Sequence, residues 1–147
     1  MNGKFSFYHR LRVRYSEIDG AKIVYNAHYL TYVDIAVTEY FRDMLGDLWQ
    51  FDYEGVFDIV LRSCSFDFNR PAILDDWLDI GCRIEKIGNS SVTVQFAITR
   101  ETEKESPILT AAIVYVNSSG GKSKRISDEV REKLVSYEVA RGNMIAS

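Results

Sequence analysis

Tyr15-Ser16-Glu17-Ile18-Asp19-Gly20-Ala21-Lys22-Ile23-Val24-Tyr25-Asn26-Ala27-His28-Tyr29-Leu30 is the stretch on which the reading of this 147-residue chain turns. The hydrophobic period changes across it. Upstream, Leu11, Val13 and Tyr15 alternate with Arg10, Arg12 and Arg14, which predicts a half-buried strand. Downstream, Tyr29, Val33, Ala36, Val37, Tyr40, Phe41, Met44 and Leu48 recur at helical spacing, and Gly46 is expected to end the regular helix. The apolar arc is broad, with Thr31, Asp34, Thr38 and Arg42 on the other side. A stripe that wide predicts a helix embedded in something larger.

Beyond Gly55 the chain reads mainly as strand. Cys64, Phe66 and Phe68 alternate with Ser63, Ser65 and Asp67, as do Leu78, Ile80, Cys82 and Ile84 with Asp79, Gly81, Arg83 and Glu85, and then Val92, Val94, Phe96 and Ile98 with Thr93, Gln95, Ala97 and Thr99. The run from Ile108 to Val116 is more continuously apolar and is expected to be a strand covered on both faces. Turn residues separate these runs at Asn69-Arg70-Pro71, Gly88-Asn89-Ser90, Glu105-Ser106-Pro107 and Ser118-Ser119-Gly120-Gly121. Short connections favour antiparallel neighbours. Ser127 or Asp128 is placed to cap a last helix running to about Ala140. The order predicts one α+β domain over residues 1–147, an antiparallel sheet wrapped around a long central helix. An exposed sheet edge would pair with a second copy, giving a dimer or a dimer of dimers.

Composition narrows the functional classes. Eighteen Lys and Arg against 21 Asp and Glu give a net charge of −3, without the basic field that nucleic-acid binding needs. No stretch approaches the apolar length of a membrane span, and the first residues carry no signal-peptide core, so a cytoplasmic protein is expected. Cys64 and Cys82 both sit in alternating patterns and read as reduced core thiols. With His9 and His28 they lack the short paired spacings of a zinc site, so no metal is expected. Gly121-Lys122-Ser123 lacks the upstream glycine of a phosphate loop, and no G-x-S-x-G elbow exists.

The Asp19 loop carries the strongest chemical signal. A helix start offers unpaired backbone N–H groups and a positive dipole end, which suit a developing oxyanion. A carboxylate just upstream can serve as base or nucleophile. One segment would thus supply both halves of an ester or thioester hydrolysis. Read without that chemistry, Asp19 is a helix-entry acid, Asn26 an N-cap, and Glu17 a strand-end acid or one supporting the site from behind. Glu39, at the edge of the helical arc, is either paired with Arg42 or an alternative base.

Ser16 through Tyr29 resembles the signature loop of hotdog-fold acyl-CoA thioesterases, in the 4-hydroxybenzoyl-CoA thioesterase and YbgC-like group. Arg70-Pro71-Ala72-Ile73-Leu74-Asp75-Asp76-Trp77-Leu78 is similar to that family's strand-linking turn, and Gly88-Asn89-Ser90-Ser91-Val92 to its next hairpin. The resemblance implies a hotdog fold, a homodimer or homotetramer with sites at the dimer interface, and hydrolysis of an acyl thioester. It implies Asp19 as nucleophile or general base and the Asn26 N–H as the group polarising the carbonyl.

Tyr25, His28 and Tyr29 are expected to line the substrate site. Ser90, Ser91, Lys122, Lys124 and Arg125 are expected to meet the phosphates of coenzyme A or an acidic acyl-carrier protein. Coenzyme A enters as part of the substrate, and no other cofactor is expected. Many relatives have Asp where Glu17 stands, and many have His where Asn26 stands; Asn26 can hydrogen-bond but does not titrate near neutral pH. The alternatives are a hydratase or dehydratase of enoyl or hydroxyacyl thioesters, and a non-catalytic acyl-CoA-binding module.

Overall fold

The long apolar helix is the centre of the molecule. A computed structural model describes residues 5–49 and 56–146. Helix α1 (Ala27–Leu45) buries Tyr29, Tyr32, Val33, Ala36, Val37, Tyr40, Phe41, Met44 and Leu45. Gly46 ends it with a positive φ of 56° while its N–H still reaches the Arg42 carbonyl. Around it curls one antiparallel sheet of β1 (Phe7–Arg12), β2 (Ile59–Phe68), β3 (Trp77–Ile87), β4 (Ser91–Arg100) and β5 (Leu109–Ser119). A two-residue strand β6 (Lys122–Ser123) pairs with β5, and α2 (Asp128–Ala140) follows. Ser127 caps α2, its hydroxyl accepting from the Val130 N–H at 3.2 Å.

The strand order is β1-β3-β4-β5-β2, so both β1 and β2 are edges. The hairpins β3-β4 and β4-β5 pair neighbours as short connections suggest. Strands β2 and β3 do not. The linker between them is held under the start of α1, where the Val24 N–H donates to Ala72 O and the Ala72 N–H donates to the Tyr29 hydroxyl.

Three sequence readings need correction. Strand β1 ends at Arg12, and residues Tyr15–Glu17 form a 3-10 turn, so Tyr15 is 79 % exposed and does not continue the inward alternation. Cys82 is buried, but Cys64 is exposed, because edge strand β2 is mostly uncovered. Strand β5 alternates strictly between buried and half-buried residues rather than being covered on both faces. Its inner face meets the helix and its outer face does not.

Candidate active site

The Asp19 loop is a short hairpin set by backbone pairing. Ile18 bridges Val24, the Tyr25 N–H donates to Glu17 O, and the Asp19 N–H donates to Ile23 O at 2.9 Å. The tip is a tight turn closed by the Lys22 N–H on Asp19 O, with Lys22 at φ 66°. That left-handed conformation is unfavourable for a lysine, and the surrounding bonds hold it there. Asp19 reinforces the turn itself, since its Oδ1 accepts from the Ala21 N–H at 2.8 Å. Its Oδ2 has no partner among the described residues.

The helix start is equally open. Asn26 has helical angles, φ −51° and ψ −38°, and its side chain makes no capping bond. No described residue accepts a hydrogen bond from the Asn26 N–H. An unengaged carboxylate oxygen and an unengaged N–H at a positive helix end therefore lie on the two arms of one hairpin. Tyr25, exposed, meets half-buried His28 edge to face at a centroid distance of 6.2 Å. Asp19, Tyr25, Asn26 and His28 thus gather at one end of the molecule.

Glu17 is the counterpart to Asp19. It is 5 % exposed, and its carboxylate accepts from the Arg14 N–H (2.8 Å), the Arg14 Nε (2.9 Å) and the Tyr32 hydroxyl (2.8 Å). Burial alone would raise its pKa, but these bonds and the Arg14 charge together hold the carboxyl below its usual range. Burial and Glu17 in turn push the Tyr32 hydroxyl up. Glu17 ties the entry of the hairpin to the second turn of α1. Spacing alone gives no sign of this contact, which joins residues 15 apart across a turn.

The frame continues on the other side. Tyr29 is 3 % exposed in the core, and its hydroxyl is occupied by the Ala72 N–H at 3.1 Å. Arg100 donates through Nε and Nη2 to Asp76 (3.0 and 2.9 Å) and through Nη2 to Pro71 O at 3.1 Å, fixing the linker beneath the loop. Glu39 is ion-paired with Arg42 on α1, three turns from the helix start.

The residues expected to meet phosphate lie elsewhere. Ser90 immediately precedes β4 and Ser91 begins it, and Lys122, Lys124 and Arg125 follow β5, at the end of the sheet opposite the Asp19 loop. The structure brings Ser90, Lys124 and Arg125 together around Asn117, whose backbone N–H donates to Ser90 O, whose carbonyl accepts from the Lys124 N–H, and whose side-chain amide donates to Arg125 O. Ten residues of β4 separate the two ends, about 30 Å at strand rise. Arg125 is further engaged by Asp128 at 2.8 Å. Among the described residues no cluster of His, Cys, Asp and Glu is placed to hold a metal ion.

Known proteins match this architecture. The Helicobacter pylori acyl-CoA thioesterase YbgC is 38% identical over 80 residues, 53% of this chain and 56% of that protein, so the match spans little more than half its length. The Escherichia coli long-chain acyl-CoA thioesterase FadM is 26% identical over 127 residues, 85% of this chain and 94% of that one. A Thermus thermophilus thioesterase, solved with coenzyme A and zinc, superposes with a TM-score of 0.80 at 28% identity, covering 95% of this chain and 98% of its own. The family profile described as thioesterase superfamily matches residues 21–106, from the tip of the Asp19 hairpin through β4. With the profile and the fold falling on the same elements, the chain belongs to the thioesterase superfamily.

Proposed function

We propose that this protein hydrolyses an acyl-CoA thioester to a carboxylic acid and free thiol, with Asp19 as nucleophile or general base. The observation that carries the reading is the pairing of an unengaged Asp19 oxygen with an unengaged Asn26 N–H at the start of α1. As base, Asp19 takes a proton from water as the water oxygen attacks the thioester carbon. As nucleophile, its own oxygen attacks and water later cleaves the resulting anhydride. In either route the carbonyl oxygen gains negative charge, which the Asn26 N–H and the helix dipole stabilise, and collapse expels the thiolate. The names of the relatives support coenzyme A as the thiol carrier.

The reading includes a homodimer, or a homotetramer built as a dimer of dimers, joined along β2. That strand has β5 on one side only and exposes Val60, Leu61 and Phe68. Antiparallel pairing of β2 with its copy would bring the Ser90, Lys122 and Lys124 end of one chain beside the Asp19 end of the other. A two-fold partner would then join what a single chain keeps apart. The compartment in this reading is the cytoplasm, where an exposed thiol such as Cys64 stays reduced. No helix among the described residues is long and apolar enough to cross a membrane.

The test is thiol release from a panel of aromatic, short-chain and long-chain acyl-CoAs. Fast release from one class supports the assignment. Tight binding of the same thioesters without release would make the protein a binding module instead.

A further inference from the structure

The face of the sheet turned away from α1 carries a pocket of 560 Å³. Its floor is Ala97 and Thr99 of β4, and Asp79 lies beside them on β3, opposite Thr99 in register. These residues point away from the helix, yet Asp79 is 7 % and Thr99 9 % exposed. Phe5 forms one wall, packed on Gly81, where a Cβ would come within 2.7 Å of the ring. Tyr8 and Pro107 complete the sides, with Lys104 at the rim.

The hydrogen-bond inventory of the pocket is lopsided. The only carboxylate lining it among the described residues, Asp79, is already bound by Arg10 through Nε (2.9 Å) and Nη2 (3.3 Å). The Thr99 and Tyr8 hydroxyls and the Lys104 ammonium make no hydrogen bond or ion pair with any described residue. Three donors without a protein partner therefore line the pocket, Thr99 on its floor and Tyr8 and Lys104 at its exposed sides, with the acceptor charge already neutralised. Thr99 is the decisive group, because its hydroxyl has no partner among the described residues yet still opens to the pocket, where it is free to bond a ligand.

We propose that this outer-face pocket binds a carboxylate with a compact apolar body, its charge met by Lys104 and its oxygens by Thr99 and Tyr8. The volume lies in the usual range for small-molecule sites. Lys104 supplies the one unpaired charge among the described lining residues, which favours an anion over a neutral or cationic ligand. The pocket is on the opposite face of the sheet from α1, so it is separate from the Asp19 chemistry and does not rest on it.

Amide NMR titration of the full chain bearing Asp19→Asn, with benzoate and hexanoate as probes, tests the proposal without turnover. Saturable shifts are expected at Tyr8, Gly81 and Thr99. Lys104→Ala should weaken binding at least about tenfold, as loss of a charge-assisted bond does. Thr99→Val, which keeps shape and strand preference, should weaken it about threefold, and methyl benzoate should not bind. Absent shifts, shifts confined to the Asp19 loop, equal binding of methyl benzoate, or affinity unchanged in both variants would each overturn it. So would a change in solution mass on Lys104→Ala, which would make this face a contact between copies of the chain.

Discussion

The two ends of the sheet differ in what their polar groups are doing. At the β4 start, the hairpin and the segment after β5 satisfy one another: Asn117 bridges Ser90 and Lys124, and Arg125 is held by Asp128. At the Asp19 end the backbone is just as tightly bonded, but an acid oxygen and a helix-start N–H are left open. Within that end, Glu17 and Asp19 repeat the contrast two residues apart. One carboxylate is buried and fully engaged; the other is half-buried and half-engaged. Reactivity resides where a rigid frame leaves a group unsatisfied, not where charge is most abundant.

The contrast breaks first at Asn26. Asn26→Pro removes the N–H while its φ of −51° suits proline at a helix start. Turnover should fall roughly 10²–10³-fold, the effect of losing one oxyanion donor, with helix content by circular dichroism unchanged. Unaltered turnover in that folded variant would remove Asn26 from the chemistry.

Glu17→Gln tests the frame. Replacing a charged acceptor of three bonds should cost about 2–3 kcal/mol in urea unfolding. Because the folded pKa of Glu17 lies below its ordinary 4.5, its contribution is complete above that pH and is lost as pH falls through the folded value. The variant should therefore show a shallower loss of stability in acid than the parent. A parallel acid limb would mean that Glu17 is not the group that titrates.

Smaller effects sharpen the far end. Lys122→Ala with Lys124→Ala should raise KM for an acyl-CoA roughly three- to tenfold with kcat unchanged. That outcome requires a dimer, since one chain keeps these lysines about 30 Å from Asp19. Unchanged KM would leave the basic run as solvated surface. The smallest effect belongs to the hairpin tip. Lys22→Gly should stabilise by about 0.5 kcal/mol, as relief of the positive φ exceeds the added freedom of the unfolded chain; a loss of stability would mean the Lys22 side chain contributes more than the turn costs.

Periodicity made much of this legible. The α1 stripe, its stop at Gly46, the Ser127 cap and the alternation of β3 and β4 are local patterns, and they appear where expected. The end of β1 was hidden because Tyr15 fits the alternation, while the Glu17 carboxylate captures the Arg14 N–H and turns the chain. Cys64 has the pattern of a core residue, but burial depends on strand order, and β2 is an edge. The loop residues Asp19, Tyr25, Asn26 and His28 are close in sequence and so stay together in space. Ser90 and Lys122 are joined to each other only by pairing across β4 and β5, and no spacing reveals that this end faces away from the loop.

The most direct measurement is thiol release by Asp19→Asn beside Glu39→Gln, on whichever acyl-CoA the parent hydrolyses fastest. Hydrolysis at the loop predicts a folded Asp19→Asn variant slowed by at least roughly 10³-fold, and a Glu39→Gln variant close to the parent, since Glu39 is ion-paired on the helix away from the loop. The reverse pattern, an active Asp19→Asn and a silent Glu39→Gln, would contradict the assignment and move the chemistry onto α1.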